Sequence, residues 1–239
     1  MRTRQFISIG VVLAGLVGTA SCGRNATTSD TPPAVDAQPV PAAASAAPPS
    51  AAKTDFRAAA EPFEVLTETA FSGKPAAVDT AVRAAMSTAQ VVRPTLPPAV
   101  VGGFDTHVAA LDTAHHQKDK ADLALASIEV YRDLVSAVPS DAKVPVQVSL
   151  LDYAGFRYDA DLKATPMRWS DMTQAVAFAR ENWSAIATRV NDPALAAKVV
   201  REIDAMDKAA TQQNKPAAAR SAKAELDLVD QLEKFFSTH

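Results

Sequence analysis

A cluster of histidine and aspartate residues is the first candidate for chemistry in this sequence. Three of the four histidines lie within ten positions of one another, interleaved with three aspartates: Asp105, His107, Asp112, His115, His116 and Asp119. On a helix, Asp112 and His116 would share one face, where the pair could hold a divalent metal ion. Asp105 falls on the same stripe and His115 lies beside it. These four residues form a candidate metal site, which needs a further ligand from another helix.

The same cluster also has a purely structural interpretation. His115 continues the apolar stripe formed by Phe104, Val108 and Leu111. This placement predicts a partly buried histidine near the C-terminus of a helix, where the helix dipole favours a cation. Both interpretations stay open at the level of the sequence.

A second acidic group lies further along the chain, at Asp152, Asp159 and Asp161. Paired carboxylates can serve acid–base chemistry. Basic residues stand close by in the sequence, at Arg157, Lys163 and Arg168. Charges of opposite sign at helical spacing usually form a solvated, salt-bridged face. We therefore expect these carboxylates to be exposed and paired.

Aromatic residues concentrate in the middle of the chain. They are Tyr153, Phe156, Tyr158, Trp169 and Trp183. Core packing is the default interpretation for such a group. An aromatic ligand cleft between two halves of the protein is the alternative.

The remaining sequence offers no catalytic signature and no cofactor motif. HExxH, GxSxG, GxxxxGK and GxGxxG do not occur in it. The formal net charge is −3 and no basic stripe is visible, which argues against a nucleic-acid partner. We therefore expect a protein that is not an enzyme and that binds neither a cofactor nor nucleic acid.

The N-terminus has the pattern of an export signal. Met1 to Arg4 is basic, residues 6–17 form an apolar run of about twelve residues, and small residues follow at 18–21. The run is short for a membrane span. The only cysteine of the chain, Cys22, comes next, so no intrachain disulfide or CxxC site can form.

This segment resembles the lipobox of bacterial lipoproteins. Ala20 and Ser21 suit the two positions before the cysteine, while Thr19 stands where that family usually has Leu. The resemblance implies a signal peptide over residues 1–21 and a Cys22 that carries diacylglycerol and palmitate, which anchor the chain in a membrane. Since Gly23 rather than Asp follows the cysteine, the resemblance implies the outer membrane, on its periplasmic side. The alternative is ordinary cleavage after Ala20, which would leave Cys22 as a free thiol.

Composition divides the mature chain into a linker and a helical domain. Residues 22–53 are rich in Ala, Pro, Ser and Thr and contain no aromatic residue, which predicts a lipidated N-terminus followed by a disordered spacer. From residue 54 to 239 apolar residues recur at helical spacing between Pro and Gly breaks. The second segment is predicted to be all-α, an antiparallel helical bundle.

Eight helices are expected in this domain. Their predicted ranges are 55–72 with Pro62 as a candidate first turn, 75–92, 97–116, 119–138, 146–163, a sixth helix that begins at a Ser170 cap and runs to about 190, a seventh from 193 capped by Asp192, and an eighth after Pro216. The sixth carries the clearest apolar seam. Its members are Met172, Val176, Ala179, Trp183, Ile186 and Val190.

An internal duplication would organise these helices into two tandem four-helix units. A shift of about 95 residues places Pro98-Ala99-Val100 on Pro193-Ala194-Leu195 and Leu111-Asp112 on Met206-Asp207. Chance similarity between alanine-rich helices is the alternative. Imelysin-like periplasmic proteins are similar in this broad plan, but their GxHxxE motif is absent here, because Ala110 stands where its Glu would follow His107.

Taken together, these features predict a lipid-anchored, non-enzymatic envelope protein that acts as a helical scaffold or binding module. The alternative is a periplasmic bundle that binds a metal or a small ligand, either at the histidine cluster or in a cleft between the two halves.

Overall fold

A computed structural model describes residues 54–238 of the chain. The predicted signal peptide, Cys22 and the predicted linker lie outside the described residues. Within residues 54–238 the protein contains eight α-helices and no strand, which confirms the all-α helical bundle. The helices are α1 (Phe56–Ser72), α2 (Pro75–Val92), α3 (Pro98–Gln117), α4 (Lys120–Ser136), α5 (Val146–Lys163), α6 (Trp169–Ile186), α7 (Pro193–Thr211) and α8 (Lys215–Thr238).

Local sequence explains most helix starts. The Asp55, Asp119 and Asp192 side chains each accept hydrogen bonds from two backbone N–H groups at the start of α1, α4 and α7. Proline occupies the first turn of α2, α3 and α7, where its missing N–H costs no intrahelical bond. The predicted bounds of α2 and α5 are confirmed to the residue, α2 beginning at such a proline and α5 directly after Pro145.

Three predicted boundary features differ from the structure. Ser170 does not cap α6: the helix already begins at Trp169, and the carbonyl of Arg168 accepts the N–H groups of Asp171 and Met172. Pro62 lies inside α1 rather than in its first turn, because Asp55 caps the helix earlier. The apolar seam of α6 reaches Val190, but the α-helix ends at Ile186 and a 3₁₀ turn carries the chain onward.

The helices pack as two four-helix units. In each unit consecutive helices are in contact and the first also packs against the fourth: α1 with α2 and α4 in the first unit, α5 with α6 and α8 in the second. The first core is centred on large buried side chains such as Phe63, Leu66, Phe104 and Ile128. The second contains the complete predicted seam of α6, every member of which is buried.

Helix α5 joins the two units. It packs against α4 of the first unit as well as against α6 and α8 of its own. Its Tyr153 and Phe156 belong to the first core, whereas its Leu151 and Tyr158 belong to the second. A helix that serves two cores has few positions left for solvent, and this explains the burial of its polar residues described below.

The second unit repeats the local structure of the first. Lys118 after α3 and Gln213 after α7 are the two non-glycine residues with positive φ in residues 54–238, and they lie 95 positions apart. The backbone N–H of Lys118 donates a hydrogen bond to the carbonyl of His115, and the backbone N–H of Gln213 donates one to the carbonyl of Ala210 in the same way. Both turns lead to a helix-capping side chain, Asp119 or Asn214. This repeated geometry supports the duplication that the 95-residue shift suggests.

Candidate functional site

The predicted metal ligands do not form one ligand set. Asp105 is held by Arg93, whose Nε and Nη2 each donate a hydrogen bond of 2.7 Å to one carboxylate oxygen. This bidentate pair lowers the pKa of Asp105, chiefly through the hydrogen bonds from the Arg93 guanidinium. Each oxygen of the Asp105 carboxylate thus already accepts a hydrogen bond from an arginine, whose positive charge would repel a metal ion at the same place.

Two of the other predicted ligands, His115 and His116, lie at a groove of about 550 Å³ at one end of the first unit. His115 is half-buried, and its Nε2 lies 2.9 Å from Oδ1 of Asp79 on α2. His116 is exposed, and its Nδ1 lies 2.8 Å from the carbonyl oxygen of Asp112 and 3.6 Å from its Oδ1. Within the described part of the chain, no three His, Cys, Asp or Glu side chains are grouped so that they could hold a metal ion.

The expectation of a solvated acidic face on α5 is wrong for two of its three carboxylates. Asp152 and Asp161 are both 0% exposed, and only Asp159 remains near solvent, paired with Lys163. The expected exposure fails because α5 is enclosed by α4, α6 and α8. The spacing of charges along one helix carries no information about these neighbours.

The buried Asp152 has a partner across the boundary between the units. Its Oδ2 accepts a hydrogen bond of 3.3 Å from the hydroxyl of Tyr131 on α4. Burial, and then the nearby Asp152 charge, raise the pKa of Tyr131 well above its usual range, so the phenol stays a donor. Asp152 therefore has a structural role in joining α4 to α5.

The other buried carboxylate, Asp161, lines a cleft of about 430 Å³ between the two units. One wall is formed by α3 and α4, and the other by α5 and the start of α6. Alanines of α3 and α4 and Leu125 supply its apolar surface. Seven titratable residues line it: His107, Asp122, Glu129, Arg157, Asp161, Arg168 and Asp171.

Most of the charges at the cleft are already paired. Arg157 donates through Nη1 to Oε1 of Glu129 and to the hydroxyl of Tyr153, the latter at 2.8 Å. Arg168 donates to Asp122 at 2.5 Å, which ties the start of α6 to α4. His107 Nδ1 lies 2.7 Å from Oδ2 of Asp133. These pairs cross between helices and fix the walls of the cleft.

Asp161 differs from these residues because both of its carboxylate oxygens are buried without a hydrogen-bond partner. Its Oδ2 lies 3.9 Å from Nε of Arg157, too far for a hydrogen bond, and that Nε is itself buried without an acceptor. Burial raises the pKa of Asp161 to about 7, a shift that the Arg157 charge opposes and the Asp171 charge adds to. The Asp161 carboxylate and the Nε–H group of Arg157 are thus two neighbouring buried groups that form no hydrogen bond.

The aromatic group is confirmed as core. Tyr153, Phe156, Tyr158 and Trp183 are buried, and they divide between the two cores. Trp169 is half-buried at the edge of the second core. The cleft between the halves exists, but its walls carry charges and alanines in place of the expected aromatic rings. A signal for it was present in the sequence as the pair Arg157 and Asp161 at i,i+4, which is indistinguishable from a surface pair without the neighbouring helices.

The comparisons with known proteins do not extend this description. No protein-family model matches the chain, and no curated protein or solved structure matches it. None of the helices in residues 54–238 combines the length and the apolar character that crossing a membrane requires. The cleft is therefore interpreted from its own chemistry.

Proposed function

We propose that this chain is a lipid-anchored, non-enzymatic binding protein of the cell envelope, and that its helical domain holds a small polar ligand in the cleft between the two four-helix units. The anchor rests on the resemblance of residues 1–22 to a lipoprotein signal. The ligand site rests on one observation, the buried carboxylate of Asp161, neither oxygen of which accepts a hydrogen bond.

A buried carboxylate without hydrogen bonds destabilises the folded state. Leaving such a group unsatisfied costs about 1–3 kcal/mol or more, a noticeable share of the roughly 5–15 kcal/mol that stabilises a domain. Residues that lower stability in this way concentrate at functional sites, where a ligand supplies the missing partners. The cleft volume of about 430 Å³ lies within the usual range for small-molecule sites.

The same observation gives an experiment that needs no knowledge of the ligand. Asp161→Asn removes the buried charge but keeps the shape, so we expect it to raise the melting temperature of the ligand-free protein at pH 8. Asp152→Asn is the matched control, because that carboxylate is equally buried on the same helix but accepts a hydrogen bond from Tyr131. Its other oxygen is buried without a hydrogen bond, but asparagine loses the charge that the Tyr131 hydroxyl stabilises, so we expect this control to gain less stability than Asp161→Asn.

A gain in melting temperature that is clearly larger for Asp161→Asn than for Asp152→Asn supports Asp161 as a residue held for binding. A clear loss of stability in Asp161→Asn would mean that the protein itself satisfies this carboxylate, and the proposed site would then lose its basis.

The alternative function, metal binding at the histidine groove, has less support. His115 already faces Asp79, and Asp105 is held by Arg93. Metal analysis of the purified chain tests it directly, since a stoichiometric metal would favour this alternative.

A further inference from the structure

The two unsatisfied groups at the floor of the cleft restrict the chemistry of what can fill it. Asp161 offers two acceptor oxygens, and Arg157 offers one N–H donor, with 3.9 Å between Oδ2 and Nε. A group placed between them must donate to the first and accept from the second. An ammonium group only donates and a carboxylate only accepts. A hydroxyl group does both through a single oxygen atom, which suits a gap of 3.9 Å, whereas an amide needs two separate atoms to do so.

The charges that line the cleft disfavour an anionic ligand, because four carboxylates face two arginines. The two arginines are engaged, Arg157 with Glu129 and Arg168 with Asp122. An anionic ligand would be repelled by Asp161 and Asp171, which these two arginine pairs do not neutralise. A cationic ligand would be attracted by the same two carboxylates, but it would have to lie beside the Arg157 guanidinium and could not accept from its Nε.

We propose that the cleft recognises a neutral, hydroxyl-rich molecule, such as a saccharide or cyclitol, with one hydroxyl group seated between Asp161 and Arg157. This inference rests on the proposed function and specifies its ligand class. Neighbouring hydroxyls on a ring would reach both oxygens of Asp161. Because that carboxylate is closed off from solvent, binding requires a rim side chain to move. The partly exposed pair of Arg168 and Asp122 lies at this rim, and opening it is part of the cost of binding.

Binding should be linked to protons at Asp161. The charged groups that act on this carboxyl are Arg157 on the same helix, Glu129 on α4, and Arg168 and Asp171 at the start of α6. Hydroxyl donors stabilise the carboxylate form and so lower its pKa from about 7. Near pH 7 the ligand should therefore release protons as it binds, and its affinity should rise with pH.

Isothermal titration calorimetry on the full chain in detergent tests the inference. The probes are glucose, N-acetylglucosamine and myo-inositol as neutral polyols, putrescine as a dication and succinate as a dianion. We expect 1:1 binding of at least one polyol, with proton release measured in two buffers of different ionisation heat. Asp161→Asn should weaken that binding by roughly tenfold or more, since it removes a charged acceptor. Asp159→Asn, on the same helix but outside the cleft, should leave it unchanged.

The outcomes separate this inference from the proposed function. Asp161-dependent binding of putrescine or succinate, without any polyol, would overturn the hydroxyl chemistry and leave a small-ligand site in place. Polyol binding that Asp161→Asn leaves unchanged would overturn the placement at Asp161. Absence of binding for all five probes would overturn the inference, and together with a destabilised Asp161→Asn variant it would overturn the proposed function as well.

Discussion

Gly155 on α5 faces Leu226 on α8 so closely that a Cβ added to the glycine would lie 2.7 Å from Cδ2 of Leu226 and 2.1 Å from Oε2 of Glu225. Both neighbours are buried. The absence of a side chain at this position thus sets the distance between the helix that serves both cores and the last helix of the chain.

Gly155→Ala should destabilise the protein by about 1–3 kcal/mol, because the added methyl has to displace the buried Leu226 and Glu225 side chains. Gly102→Ala on α3 is the control, because nothing lies within 4 Å of a Cβ added there. We expect this variant to be stabilised by up to roughly 1 kcal/mol, since alanine favours the helix more than glycine does. Urea unfolding of both variants checks the pair. A stabilised Gly155→Ala variant would show that α5 and α8 can separate freely.

Trp183 is buried in the second core, 7% exposed, as the apolar seam of α6 predicts. Trp183→Ala should cost about 3–5 kcal/mol and sharply lower the melting temperature. Trp169→Ala should cost noticeably less, because that ring only covers the edge of the same core. Thermal melts of the two alanine variants measure the difference, and an equal or reversed order would contradict the packing described for α6.

The pKa of Asp161 gives a pH dependence with a definite sign. Its folded pKa of about 7 lies above the ordinary value of 3.8, so the folded state binds the proton more tightly than the unfolded state. Asp161 therefore lowers stability progressively as the pH rises from about 4 to 7, and the loss is constant above that. The advantage of Asp161→Asn over the wild type should grow across this window. Denaturant melts between pH 4.5 and 8 check it, and a pH-independent difference would contradict the raised pKa.

Lipidation of Cys22 remains a prediction from the sequence. The wild-type protein should partition into the membrane or detergent phase and incorporate a palmitate analogue in its host. Cys22→Ala should abolish both, because acylation requires the thiol. Labelling that persists in this variant, or cleavage after Ala20 with a free Cys22 thiol detected by mass spectrometry, would refute the anchor.

Local signals made the helices predictable. Proline and aspartate at the start of α2, α3, α4 and α7 act within one turn, so their effect can be seen in the sequence without any neighbour. The buried face of α6 was equally predictable, because its six apolar residues at helical spacing all lie on one side of the helix. Prediction failed where backbone geometry alone decided a boundary, as at Trp169 and Ile186.

The candidate metal site shows the limit of helical spacing as a guide. Asp112 and His116 do lie on one face of α3, but the partners of Asp105 and His115 are Arg93 and Asp79, which come from other elements. A periodic pattern identifies which residues share a face. It does not identify what that face meets.

The all-α fold and most helix boundaries could be predicted from the sequence, because each depends on apolar periodicity and on capping within a few residues. The repeated arrangement of two units was one of two interpretations of the 95-residue shift, and the packing of the helices was needed to choose between them. The tertiary structure was also needed to show that Asp152 and Asp161, alike in type and on the same helix, are both buried and that Asp152 accepts a hydrogen bond while Asp161 accepts none. Burial of a charge depends on helices distant in sequence, and its consequence depends on whether one of them supplies a hydrogen bond. Tyr131 does so for Asp152, whereas none of the described residues does so for Asp161.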